Sequence, residues 1–356
     1  MKAGAFQNGP PGGPRQNGPS GGPRHNSPHG APRKSPGPGG LGTSDSATTG
    51  ETGVGGTHRG MLVEVQRRSA TVRDESGVET HCAYSPGIRL GDFSNFAVGD
   101  QVEFYPGDVA QEPLITSILP RTSKISRPGP GERHARELIL AANVDLLVVT
   151  VAAAQPAFNA RLLDRYLAVA ERFGIEAVIC LNKCDLQPVT PPEVLYLETI
   201  GYKRVSCSAE ELINLEALRD VLRGRLAVLS GPSGAGKSSL IAALVPDSDP
   251  RIGEVRESDG KGRHTTTTSH LYATDDGVRI IDTPGLRELG LWNVDASDVA
   301  SYWRDFQPYL GRCRFTDCAH RTEPDCAVRK AVDAGEIPDF RLQSYYRVLD
   351  TLAGDD

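Results

Sequence analysis

Ten residues restrict what this chain can fold into more than any others: Ser230-Gly231-Pro232-Ser233-Gly234-Ala235-Gly236-Lys237-Ser238-Ser239. They fit G-x-x-x-x-G-K-[ST] without departure, and their flanks supply the context that such a pattern needs. Before them Arg225-Leu226-Ala227-Val228-Leu229 reads as a short buried strand, and after them Leu240-Ile241-Ala242-Ala243-Leu244 opens an apolar helix. Glycines at 231, 234 and 236 let the backbone curl until successive N–H groups converge, and the helix start adds partial positive charge at that point. Such a loop cradles phosphate. Gly231 through Ser239 are the expected contacts, with Lys237 reaching the β- and γ-phosphates and the Ser238 hydroxyl on magnesium.

A base-reading motif lies upstream. Val144 to Val151 is a continuous apolar run suited to a central parallel strand. Arg161 to Phe173 then carries apolar residues at helical spacing: Leu162, Leu163, Tyr166, Leu167 and Val169. The next strand, Ile175 to Leu181, delivers Asn182-Lys183-Cys184-Asp185 at its carboxyl end, where open α/β sheets bind ligands. Asp185 can accept from both the ring N–H and the exocyclic amine of guanine, a pairing adenine cannot offer. Lys183 can lay its stem along the base, and Asn182 can tie this loop to the phosphate loop. GTP and GDP are therefore the expected ligands. After the following strand, the N–H groups around Ser208 and Ala209 are placed to meet the guanine carbonyl oxygen. Ser208 also suits the N-cap of a helix over Leu212 to Leu222, and the two roles are compatible.

Downstream of the phosphate loop comes Gly262-Arg263-His264-Thr265-Thr266-Thr267-Thr268, a strand Ser269 to Thr274, and then Val278-Arg279-Ile280-Ile281-Asp282-Thr283-Pro284-Gly285. Asp282, ending an apolar strand, is expected to hold magnesium through water, and the Gly285 N–H to sense the γ-phosphate. Thr266 is the expected magnesium ligand of the triphosphate state, with Thr265 the alternative. Base-reading motifs precede the phosphate loop here, the reverse of Ras-like GTPases. Circular permutation accounts for this, because domain termini lie close together and can be rejoined without moving the pocket.

Five short alternating segments between Met61 and Leu119 argue a small β-barrel. The order of hydrophobic residues leaves an oligonucleotide-binding form and an SH3-like form open, and the former is the expectation. Arg121, Lys124, Arg127, Arg133 and Arg136 follow in an expected linker, either a phosphate-facing patch or a solvated charge run. Ahead of the barrel, residues 1–58 hold 25 glycines and prolines and a recurring nine-residue unit from Gln7 to Arg33. That composition buries too little apolar surface to offset its ordering entropy, so disorder is expected there. At the other end, Cys313, Cys318, His320 and Cys326 make three thiolates and one imidazole within fourteen residues, the usual set for one structural zinc ion. Expected flanking helices, Ser297 to Phe306 and Asp339 to Leu352, have too little core to stand alone, so the metal is expected to supply much of their folding energy. The remaining cysteines, Cys82, Cys180, Cys184 and Cys207, read as packing residues on strands or in nucleotide loops.

Composition sets outer limits. A net charge of −6 excludes a uniformly basic nucleic-acid binder, so RNA contacts must be local and no DNA partner is expected. No apolar run approaches the roughly 18 residues of a membrane span, and the N-terminus lacks a signal peptide's apolar centre. Seven cysteines, odd in number, suit a reducing compartment. A cytoplasmic monomer is the expectation.

Taken jointly, a barrel, N-K-x-D ahead of G-P-S-G-x-G-K-S-S, then G-R-H-T-T-T, D-T-P-G and C-x4-C-x-H-x5-C resemble the RsgA family of small ribosomal subunit biogenesis GTPases, over about residues 60–356. The resemblance implies an oligonucleotide-binding barrel, GTP hydrolysis stimulated by the 30S subunit and its rRNA, and a role late in that subunit's maturation. The position where Ras-like enzymes carry a water-orienting glutamine is Leu286, which cannot hydrogen-bond water, so unaided hydrolysis should be slow. By the same resemblance His264 is the candidate to position the water. The expected fold is a multidomain α/β chain: a glycine- and proline-rich arm at 1–58, an OB-like five-stranded barrel at 59–125, a circularly permuted Ras-like P-loop GTPase domain at 126–290, and a mostly helical zinc-binding domain at 291–356. Two rivals remain at this level. One is an RNA-binding assembly factor whose nucleotide is only structural, and the other a P-loop kinase, which leaves Asp185 and the cysteine cluster unexplained.

Overall fold

The computed structural model describes residues 56–88, 96–129, 137–246, 269–283 and 290–354. Strands β1 (His58–Val65), β2 (Ser69–Asp74), β3 (Glu79–Tyr84), β4 (Gln101–Tyr105) and β5 (Leu114–Ile118) pair in the order β1-β2-β3-β5-β4, and β4 returns to β1 to close a barrel. Only the β3–β5 pair is parallel. This closed arrangement is OB-like, which settles the choice that alternation alone left open. Residues two apart face inward, Ala70 with Val72 and Val102 with Phe104, and join Leu62, Cys82, Phe96 and Ile115 in the barrel core.

The stretch expected as a basic linker is a hairpin instead. Strands β6 (Lys124–Pro128) and β7 (Glu137–Ala142) pair antiparallel, because Leu138-Ile139-Leu140-Ala141-Ala142 is apolar and needs a partner. Two of its cations are paired within the protein. Arg121 forks onto the buried Asp100 at 2.6 and 2.7 Å, and Lys124 pairs with Glu137 at 2.6 Å. Arg133 and Arg136 lie outside the described residues.

Next come β8 (Leu146–Ala152), α1 (Ala160–Phe173), β9 (Glu176–Asn182), α2 (Pro192–Thr199), β10 (Lys203–Ser206), α3 (Leu215–Leu222), β11 (Leu226–Ser230), α4 (Lys237–Leu244), β12 (His270–Ala273) and β13 (Arg279–Asp282). Their sheet runs β10-β9-β8-β11-β13-β12, all parallel except β12. Alternate residues feed opposite faces: Val149, Val151 and Ile179 pack toward α1, while Val148, Val178 and Ala227 pack toward α3 and α4. A strand covered on both sides can be apolar throughout, as β8 is. Helix α1 starts where the Asn159 side chain accepts the Leu162 N–H and ends at Gly174, whose φ of 63° suits glycine. One residue pair, Glu64 opposite His270, carries the ladder from β12 into barrel strand β1.

The C-terminal segment holds α5 (Ala327–Asp333) and α6 (Asp339–Gly354). The helix expected over Ser297 to Phe306 is replaced by one short 3-10 turn, Val299–Tyr302, and a second, Gln307–Tyr309, follows it. Trp303 breaks the run by taking extended backbone to drive its ring into the core, where it is 1% exposed. That core is shared, since Trp303, Phe306, Tyr345 and Leu349 cluster with Leu163, Tyr166 and Leu167 of α1. The flanking elements thus draw on the core of the neighbouring sheet and helix in addition to the cysteine cluster. Beneath the shared core, Arg341 of α6 forks onto Asp305 at 2.9 and 2.8 Å and also donates to Asp164 of α1. All three residues are buried, and the Tyr196 hydroxyl donates to Asp305 at 3.1 Å. Burial pushes the Asp164 carboxyl up to about 6, against the pull of the adjacent Arg341.

Candidate functional site

Strand β11 is buried along its length and ends at Ser230, and α4 begins at Lys237. The turn between them closes tightly on its neighbours. A Cβ at Gly231, whose φ is +141°, would lie 2.0 Å from the Thr150 carbonyl oxygen on β8. A Cβ at Gly236, at φ +90°, would lie 2.2 Å from Nδ2 of Asn182. Gly231→Ala is therefore expected to cost about 3 kcal/mol in strain and overlap and to displace the loop. Thermal melting and a guanine-nucleotide titration check both effects. Pro232, Ser233 and Gly234 face outward, Ala235 is buried, and Ser238 and Ser239 open the helix. The Lys237 Nζ folds back and donates to the carbonyls of Gly231 and Pro232, at 2.7 Å each.

Asn182, ending β9, is the knot of the site. Its Nδ2 donates to the Ala235 carbonyl at 3.0 Å, and its Oδ1 accepts the Ala209 N–H at 3.1 Å. One buried amide thus joins three loops, those of residues 182–185, 208–209 and 231–236. Lys183, at φ 61°, donates from Nζ to the Gln155 carbonyl, Cys184 is half-buried, and Asp185 is exposed at the rim. Two N–H groups expected to face the base are directed elsewhere. The Ala209 N–H is held by Asn182 and the Ser208 N–H by the Ile213 carbonyl at 3.1 Å. Nor does Ser208 cap α3, because its Oγ accepts from the Glu211 N–H at 3.1 Å while α3 starts later, after Asn214. Asp282 closes β13, and the register that sets Val228 beside Ile281 brings it level with Leu229, just before the glycine turn. His264, Thr265, Thr266 and Gly285 lie outside the described residues. Two residues that sequence reasoning missed support the site: Thr150, against which Gly231 packs, and Gln155, which receives Lys183. Both act through backbone carbonyls, which no side-chain pattern reveals.

The second cluster lies in the C-terminal segment. Ligand atoms of Cys313, Cys318, His320 and Cys326 all fall within 4.8 Å of one another. Nδ1 of His320 is 3.5 Å from the Cys313 sulfur and 3.4 Å from the Cys326 sulfur, and those sulfurs are 3.9 Å apart. Metal–ligand distances of about 2.3 Å for sulfur and 2.0–2.1 Å for nitrogen at tetrahedral angles give edges of roughly 3.8 and 3.5 Å, so these three donors sit at tetrahedral spacing, with the Cys318 sulfur within 4.8 Å of each. The loop is braced from outside: Glu323 accepts the N–H groups of Ala319, Arg321 and Thr322, and the hydroxyls of Tyr345 and Tyr346 donate to the carbonyls of Ala319 and His320.

A doubly wound sheet with a glycine turn after β11, and the N-K-x-D loop arriving earlier in the chain, defines a circularly permuted P-loop GTPase. A sequence profile described as RsgA GTPase matches residues 118–292. The small ribosomal subunit biogenesis GTPase RsgA of Gemmatimonas aurantiaca is 42% identical over 314 residues, covering 87% of this chain and 99% of the relative. The chain belongs to the RsgA family. The like-named protein of Actinobacillus pleuropneumoniae is 36% identical over 307 residues, covering 84% of this chain and 86% of its own. Among solved structures, YjeQ from Thermotoga maritima superposes with a TM-score of 0.66 at 29% identity, covering 84% of this chain and 99% of that one. YloQ, described as a circularly permuted GTPase, shares the fold with a TM-score of 0.64 at 24% identity, covering 86% and 99%.

Proposed function

We propose that this chain hydrolyses GTP to GDP and phosphate on the small (30S) ribosomal subunit, late in that subunit's maturation, with turnover stimulated by the subunit. The observation that carries the reading is the Asn182 amide, which joins the phosphate loop to both base-side loops. Asp185 reads the guanine edge, Lys183 lies along the base, and Lys237 exchanges the Gly231 and Pro232 carbonyls for phosphate oxygens. Ser238, Asp282 and Thr266 offer the hard oxygen donors that magnesium prefers. Cys313, Cys318, His320 and Cys326 hold one structural zinc ion, leaving no position open for chemistry. The barrel and the cysteine segment contact rRNA, and the protein acts as a cytoplasmic monomer. Among the described residues, no helix is long and apolar enough to cross a membrane.

The test is multiple-turnover phosphate release with and without purified 30S subunits, on the intact chain and on one lacking residues 1–58. Stimulation by the subunit is expected in both. Its absence, with GTP bound, would favour the nucleotide as a structural ligand only. His264→Ala should keep GTP binding and lose the stimulated turnover. Chelation of the cysteine cluster should open the loop between Cys313 and Cys326 to protease while leaving α6 folded, because α6 is packed on α1. Far-ultraviolet circular dichroism would register any loss of that helix.

A further inference from the structure

Two thiols outside the metal cluster, on the strands that lead into the base-side loops, are in contact with each other. Cys180 lies on β9 two residues before Asn182, and Cys207 follows β10 one residue before Ser208. Their sulfurs are 3.4 Å apart, and both residues are fully buried. The strands carrying them are parallel neighbours, with Ser206 level with Leu181. The loops they lead into are tied to the same pair, since the Cys207 N–H donates to the Leu181 carbonyl at 3.0 Å and the Cys184 N–H to the Cys207 carbonyl at 3.1 Å.

We infer that Cys180 and Cys207 are a site of reversible oxidation: a hydroperoxide joins them as a disulfide, and the crosslink weakens guanine-nucleotide binding. The second half rests on the base-pocket reading above. Cys207 is the attacking sulfur, because the hydrogen bond between the two sulfurs, 3.4 Å apart, lowers its pKa while that of Cys180 is pushed up. Its thiolate attacks one peroxide oxygen, the O–O bond breaks, and the departing hydroxide takes up the proton Cys207 released, leaving a sulfenic acid. The Cys180 sulfur then attacks the sulfenic sulfur, the S–O bond breaks, and water leaves with the Cys180 proton. Two thiols are oxidised, and one hydrogen peroxide is reduced to two waters.

The bond has a geometric cost that falls on the pocket. A disulfide is about 2.05 Å long, so sulfurs now 3.4 Å apart must approach by roughly 1.4 Å. Oδ1 of Asn182 lies 3.9 Å from the Cys207 sulfur and holds the Ala209 N–H. A close-packed interior does not absorb such a shift silently, so the contraction is passed to the loops of residues 182–185 and 208–209. Because both sulfurs are covered, peroxide reaches them when these loops part, and bound GDP slows the reaction.

The experiment exposes the full-length, metal-loaded chain to hydrogen peroxide with and without GDP, maps peptides under non-reducing conditions, and titrates GDP by calorimetry. A Cys180–Cys207 peptide is expected, formed more slowly with GDP present. Affinity for GDP should fall by about tenfold, the value of one lost hydrogen bond to the base loops, and recover with dithiothreitol. Cys207→Ser should show neither change, although it keeps the cluster thiols Cys313, Cys318 and Cys326. The inference is overturned if those thiols oxidise and the crosslink never forms, or if it forms and affinity is unchanged. If the reduced protein fails to bind GDP, the base-pocket reading falls, and the peptide map alone still decides whether the thiols pair.

Discussion

Asp185→Asn protein is expected to bind GTP about a hundredfold more weakly than the unaltered chain and to accept xanthosine triphosphate in its place. A carboxylate accepts from two guanine N–H groups at once, and bonds to a charged group are worth about 1.5–3 kcal/mol each. Asparagine keeps one acceptor and turns a donor toward the other N–H, so one bond is lost and a repulsion takes its place. Xanthine carries a carbonyl where guanine carries the amine, and the asparagine N–H can meet it. Asp185 stands exposed at the carboxyl end of β9, where the change leaves the core untouched. Competition of the two triphosphates against a labelled guanine nucleotide measures the switch, and an unaltered preference for GTP would remove Asp185 from base recognition.

Arg341→Ala should instead act on the whole fold. It leaves two carboxylates, Asp164 and Asp305, buried without their shared cation, and breaking such a set costs about 3–5 kcal/mol. For a folded unit of this size the melting temperature should drop on the order of 10 °C. The loss should depend on pH in a defined direction. Burial already raises the Asp164 pKa to about 6, and removing Arg341 raises it further. A group whose pKa is raised on folding favours the folded state at low pH and withdraws that support as pH rises through the folded value. The variant should therefore be least impaired near pH 5 and most impaired above pH 7. Arg341→Lys should fall between, since an ammonium cannot fork onto Asp305 while also reaching Asp164. Equal melting curves for variant and parent would show that the buried ions contribute nothing net.

What could be read in advance was local. Strand β8 announces itself because residues covered on both faces are apolar without interruption, and α1 because its apolar positions recur at helical spacing. The four cluster residues are close enough in the chain for spacing alone to bring them together. Distant pairings left no such mark. Asp164 and Arg341 are 177 residues apart, and each looks like an ordinary surface charge in its own helix. The same holds for Arg121, which sequence context presents as part of a basic linker and the fold turns inward onto Asp100. Trp303 illustrates a different failure: its flanks favour helix, but the need to bury its ring overrides that preference. The barrel's strands were visible while its closure was not, because closure is a matter of which strand meets which.

The docking of α6 on α1 has a consequence for synthesis. The chain emerges from its N-terminal end, so β8, α1 and β9 are complete well before β11, β13 and α6 exist to cover them. Until the last helix is released, the side of α1 bearing Leu163, Tyr166 and Leu167 has no partner from the C-terminal segment. A prematurely terminated product would leave that strip covered by the sheet side alone, and would be the form most readily recognised by chaperones and proteases.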